Sequence, residues 1–172
     1  IDLQPSCFGG PNDEFIYSGR LDNLCSSFQS TQALIDSSAN IANASNVQMI
    51  TLFDHEEVGS NSAQGASCSM LMDTMTSINA QFGVTDDLMR SLRNSLIVSI
   101  DMAHAHHPNY SGKHDSSMAP KINQGLVIKH NCNQKYATNA ISAVMFREFA
   151  RLGGIPIQEF SVRADMGCGR YT

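Results

Sequence analysis

A chain of 172 residues is long enough for a domain with its own apolar core, and 42% hydrophobic with 16% charged residues excludes a disordered segment. A formal charge of −5 and a pI near 5.6 argue against nucleic acid or an anionic membrane as the main partner. No apolar run approaches the ~18–20 residues of a membrane span, and no basic-then-apolar leader opens the chain at Ile1.

Along the chain, Glu14–Tyr17 reads as a short strand ending at Ser18-Gly19. Leu21 to Asp36 then carries apolar residues near a helical period, at Leu21, Leu24, Phe28, Ala33 and Leu34. Val47 to Phe53 is a nearly continuous apolar run, the pattern of a strand buried on both faces. A turn with Gly59 follows, and Ala63 to Phe82 predicts a Met-rich helix. Thr85 is placed as an N-cap, with Asp86 and Asp87 in the first turn and Arg90 and Arg93 later, as the helix dipole favours. Leu96–Ile100 predicts a second buried strand. Met102 to Asn123 is polar, His-rich and irregular, in the manner of a site loop. Leu126–Ile128 predicts a third apolar strand, Thr138–Leu152 a helix stopped by Gly153-Gly154, and Ile157–Arg163 a last strand.

Alternating strands and helices predict an α/β fold: a three-layer sandwich with a mostly parallel central sheet, incomplete at both ends. The five cysteines, Cys7, Cys25, Cys68, Cys132 and Cys168, are odd in number, and none forms a C-x-x-C pair. Free thiols in a reducing compartment are expected, with cytoplasm as the default location. Cys25 and Cys68 fall in predicted helices, where a free thiol packs as a small hydrophobe.

Sites in such sheets lie beyond the carboxyl ends of the strands. Three expected strands end in acid: Phe53 before Asp54-His55-Glu56-Glu57, Ile100 before Asp101, and Arg163 before Asp165. Carboxylates gathered at one edge repel and raise one another's pKa, unless a divalent cation compensates them. Any one of these acids alone fits a helix cap or a solvated position equally well. Adjacent Glu56 and Glu57 are harder to explain as caps. The histidines of Asp101–Tyr110 bring imidazoles to the same edge, although a surface loop with one structural histidine remains open. No H-E-x-x-H or zinc-finger spacing occurs, so a metal would be held by distant segments.

Four segments together resemble the aspartyl aminopeptidase family of metallopeptidases. They are Ser18-Gly-Arg-Leu-Asp-Asn-Leu24, Phe53-Asp-His-Glu-Glu-Val-Gly-Ser60, Asp101-Met-Ala-His-Ala-His-His-Pro-Asn-Tyr110, and Gly125-Leu-Val-Ile-Lys-His-Asn131 followed by Lys135-Tyr-Ala137. Their order and separation also fit, over about Gly9 to Cys168. The resemblance implies two divalent metal ions, zinc first, with manganese or cobalt as alternatives that an oxygen-rich site also accepts. It implies Asp22 as the bridging ligand, Glu57 on one ion and Asp101 on the other. Glu56 is then the general base that takes a proton from the bridging water. His107 is implied to steady the transition state, and Lys129 to meet the acidic side chain of the substrate. His104 is either structural or lines the substrate pocket, and Tyr136 and His55 pack around the site or support its ligands from behind. Without the resemblance, Lys129 reads as a solvated lysine after a strand.

The implied activity is release of N-terminal Asp or Glu from peptides, by a large homo-oligomer, a tetrahedral dodecamer in the family. The implied organisation makes residues 1–172 part of a catalytic domain. The family's inserted oligomerisation domain and both terminal segments, each with a histidine ligand, fall outside it. The tail departs from the family pattern, with Gly167 in place of a proline and Arg170 in place of a small residue. Two other readings share the motifs: a non-catalytic structural or regulatory relative, and a two-metal aminopeptidase or deacylase of broader range.

Overall fold

The computed structural model describes residues 3–83, 88–115, 117–161 and 163. It divides into two compact units, one of residues 1–52 and 72–102, the other of 53–71 and 103–172.

In the first unit, β1 (Cys7–Gly9) and β2 (Phe15–Tyr17) pair antiparallel, with Phe8 opposite Ile16. Arg20, at φ +61°, turns the chain from this hairpin into α1 (Leu21–Ser37). Asp22 and Asn23 depart from helical geometry, and the peptide between them is cis. The regular helix follows them, its hydroxyls bonding back one turn: Ser27 Oγ donates to the Asn23 carbonyl at 2.9 Å and Ser30 Oγ to that of Ser26 at 2.7 Å. A 3₁₀ segment (Ser38–Asn43) ends the run. Further on come α2 (Met70–Gln81), shorter than the expected 63–82 and part of this unit from Met72, and α3 (Leu88–Arg93). The expected cap at Thr85 and the acids Asp86 and Asp87 lie outside the described residues.

The second unit holds β3 (Leu126–His130), α4 (Ala140–Leu152) and β4 (Ile157–Ser161). β3 and β4 are parallel, with Ile128 opposite Glu159 and Lys129 opposite Phe160. Gly125, at φ +100°, lies so close to the Pro156 carbonyl that a Cβ would strike it, which fixes where the two strands begin. α4 starts on a full capping box. Asn139 Oδ1 accepts from the backbone of Ile141 and Ser142 at 2.9 and 3.0 Å, and Ser142 Oγ accepts from the Asn139 N–H at 2.9 Å. It stops at Gly153, as its glycines predict, with Gly154 at φ +64°.

Two expected strands are not there. Val47–Phe53 and Leu96–Ile100 form no ladder among the described residues. Most of their apolar side chains are open, Ile97 being 76% exposed, while Ile50 and Phe53 are half-buried. A strand is defined by its pairing partner, and an apolar run without one satisfies its backbone elsewhere. The fold is therefore a mixed helix-and-strand arrangement with one small antiparallel and one small parallel sheet.

Every buried hydrophobic residue of the described core lies in the second unit: Ile128, Tyr136, Ala143, Ala150 and Phe160. The accessible surface is 13125 Å², whereas even two separate compact bodies of half this mass would expose only about 9,900 Å². Part of the excess is a stripe along α4 of Ile141, Val144, Met145, Phe149 and Leu152, all open to solvent at helical spacing. Cys25 and Cys68 are half-buried, Cys68 lying before α2 rather than within a helix, and none of the four described cysteines is paired. No helix among the described residues is long and apolar enough to cross a membrane.

Candidate metal and peptide site

In the first unit, one hydrogen bond joins two of the sequence-selected acids' neighbourhoods. Asn23 Nδ2 donates to the carbonyl of Ile100 at 2.9 Å, across 77 residues of sequence. Asp22 precedes the donor and Asp101 follows the acceptor, so the start of α1 and the end of the apolar run 96–100 meet where the two carboxylates attach. Asn23 Oδ1 is buried and has no hydrogen-bond partner among the described residues. Leaving a buried amide oxygen unbonded costs about 1–3 kcal/mol. Reversing the amide would set its oxygen against the Ile100 oxygen, so the carbonyl dictates which end faces it.

Glu56 and Glu57 ride on a turn in the second unit that its own backbone fastens. The Gly59 N–H bonds to the Glu56 carbonyl at 2.8 Å, that of Ser60 to His55 at 3.0 Å, and that of Asp54 to Gln64 at 3.0 Å. Gly59, at φ +99°, makes the sharp turn the sequence led us to expect. His55 Nδ1 and Ser62 Oγ lie 2.6 Å apart across the loop, and buried Ser60 anchors its base. His55 is therefore a brace for this loop. Both glutamates are exposed.

His104 and His107 are exposed members of the polar loop in the same unit. His107 caps a 3₁₀ turn (Pro108–Lys113), its Nδ1 accepting from the Asn109 N–H at 3.2 Å. In the neutral ring that bond leaves the proton on Nε2, which makes Nε2 a donor. The ring lies 5.1 Å from that of Tyr110. Nearby, His114 has its ring 5.8 Å from His106 and edge-on to Phe160 at 6.1 Å. Desolvation first, then the charges of His106 and His104, holds the His114 pKa below its usual 6.5.

Lys129 is half-buried on β3, with its ammonium 5.8 Å from the centre of the Tyr136 ring. Asn131 makes this approach possible. Its buried side-chain oxygen accepts from the Asn133 N–H at 2.8 Å and the Lys135 N–H at 3.4 Å, folding the chain back to Tyr136. The next residue, His130, presents Nε2 to Glu159 Oε2 at 3.1 Å, and Arg147 Nε donates to Glu159 Oε1 at 2.8 Å. The Glu159 carboxylate thus ties α4 to β4, with the His130 imidazole of β3 alongside it.

A family model described as aminopeptidase I zinc metalloprotease (M18) matches residues 1–172. The chain belongs to this M18 family. It is 51% identical to a probable aspartyl aminopeptidase of Ricinus communis over 98% of this chain and 35% of that protein. To aspartyl aminopeptidase 1 of Schizosaccharomyces pombe it is 44% identical, over 98% of this chain and 36% of the relative. The chain thus spans about a third of the length of the curated relatives it matches. Among solved structures, one of an Ape4 and Nbr1 complex superposes with a TM-score of 0.92 at 44% identity, covering 98% of this chain and 33% of that one. The mApe1 dodecamer of S. cerevisiae superposes at 0.80 with 26% identity, covering 94% and 38%.

Asp22, Glu57 and Asp101 are carboxylates, the hard anionic donors that a divalent cation takes. Within neither unit, among the described residues, do three or more His, Cys, Asp or Glu side chains gather closely enough to hold an ion by themselves. The first unit brings the Asp22 and Asp101 segments together; Glu56, Glu57, His104, His107 and Lys129 belong to the second. Asp165, the third strand-end acid, lies outside the described residues, as do Gly167 and Arg170 of the tail. Asn23 escaped the sequence reading, its only signal being a polar amide directly after Asp22.

Proposed function

We propose that the complete protein is a metalloaminopeptidase that releases N-terminal Asp or Glu from peptides. The observation that carries this reading is the Asn23–Ile100 hydrogen bond, which sets the backbone of Asp22 against that of Asp101 in a chain matched end to end by the M18 model. In this reading Asp22, Glu57 and Asp101 would hold two divalent cations, Asp22 being shared, Glu57 serving one and Asp101 the other. Zinc is the first choice and manganese or cobalt the alternatives. Such a pair, when bound, supplies Lewis acidity that lowers the pKa of a water and polarises the scissile carbonyl.

The chain's own groups do the rest. Glu56 accepts the proton of the attacking water and returns it to the leaving amine. His107, with its proton on Nε2, donates a hydrogen bond to the carbonyl oxygen as charge develops there. Lys129 meets the acidic side chain, and a point charge above a buried aromatic ring suits that task better than an apolar wall. His104 lines the pocket.

Residues 1–172 then form part of a catalytic domain, a three-layer α/β sandwich with a mostly parallel sheet. An oligomerisation domain and two flanking segments, each with a histidine ligand, complete it. Likeness to the mApe1 dodecamer supports a large homo-oligomer, and the location we assign is the cytoplasm.

The test is metal analysis of the full-length protein together with aspartate release from an Asp-peptide. Two bound ions and release of aspartate are expected. A fully loaded protein that releases nothing ends this reading.

A further inference from the structure

We infer that Asn23 is the positioning residue of this metal site, fastening Asp101 to Asp22 by gripping the Ile100 carbonyl. The inference rests on the two-metal reading above. Its support is local to the first unit. The Asn23 side chain links the start of α1 to the run 96–100 by its hydrogen bond to the Ile100 carbonyl. That run forms no ladder among the described residues, so this grip stands in for the strand pairing that ordinarily fixes a strand end. The two residues that carry the grip, Asn23 and Ile100, each adjoin a candidate ligand.

Groups that orient metal ligands without touching the ion typically change affinity by about 10–100-fold when removed.

The test uses the full-length protein, stripped of metal and titrated with zinc against a competing chelator. The thermal midpoint of the metal-free form is measured alongside. Asn23→Ala is expected to weaken at least one of the two zinc sites by about 10-fold or more. An unchanged zinc affinity overturns the inference, whatever happens to the thermal midpoint, because it leaves Asn23 a purely structural role.

Asn23→Asp gives a second reading should the alanine variant fail to fold. An ionised carboxylate of the same shape cannot donate to Ile100, so positioning requires zinc binding to weaken. Added negative charge alone requires it to tighten, and tightening overturns the inference. Asp101→Asn separates the two layers: if it leaves zinc affinity intact, the metal assignment itself has failed, independently of Asn23.

Discussion

The two units use similar apolar sequence to opposite effect. In the second, Leu126–His130 and Ile157–Ser161 pair along five residues each, and Ile128 and Phe160 are buried. In the first, Val47–Phe53 and Leu96–Ile100 are as apolar, yet neither is paired and the only buried residue among those described is Ser26. Hydrophobicity is thus not the difference. β3 and β4 are brought side by side by a capped helix of the right length and a glycine that lets Gly125 touch Pro156. The other two runs meet no such partner within the described residues.

Substitutions in the full-length protein test this contrast. The largest expected effect is in the formed core. Phe160→Ala should cost about 3–5 kcal/mol, read as a fall in the denaturation midpoint. Ile97→Ala is its counterpart in the unpaired run. A cost of about 2–5 kcal/mol there means that the complete polypeptide buries Ile97, whereas a change within 0.5 kcal/mol or so means that the run stays open.

Next comes the charge on β3. Lys129→Ala should lower kcat/KM on acidic N-termini by about 100-fold, some 2.7 kcal/mol. Neutral N-termini should change little, and equal losses on both would point to the broader-range hydrolase. A smaller effect is expected at the start of α4, where Asn139→Ala removes one half of the capping box. About 1 kcal/mol should be lost, visible as a few degrees in the thermal midpoint.

The smallest effect is a pH slope. The folded state holds the His114 pKa below 6.5, so the unfolded chain protonates first as pH falls. This residue's contribution to stability is whole above about pH 6.5 and is lost as pH drops toward the depressed value. His114→Gln should therefore flatten the acid side of the stability profile, and an unchanged slope would remove His114 from the account.

How much of this was legible in the sequence follows the range of the interactions. α1 and α4 are local objects, and periodicity with Gly153 and Gly154 locates them within a few residues. β3 and β4 were also readable, from apolar runs bounded by turns. The two missing strands show where that signal ends: an apolar run tells what wants burial and not what will pair with it. The site divides the same way. Glu56 and Glu57 were visible as acids after an apolar run, and Gly59 as the turn behind them. The meeting of Asn23 with Ile100 was not, since nothing in either segment refers to a partner 77 residues away. Nor was the proton on His107 Nε2, which depends on one backbone N–H reaching the other ring nitrogen.

The greasy ridge along α4 has a practical side. Wherever this segment is made without something to cover Ile141, Phe149 and Leu152, it should behave as partly folded proteins do, soluble when dilute and self-associating as concentration rises. Co-expression with a polypeptide that masks the ridge, rather than a charged tag at one end, is then the way to keep it in solution.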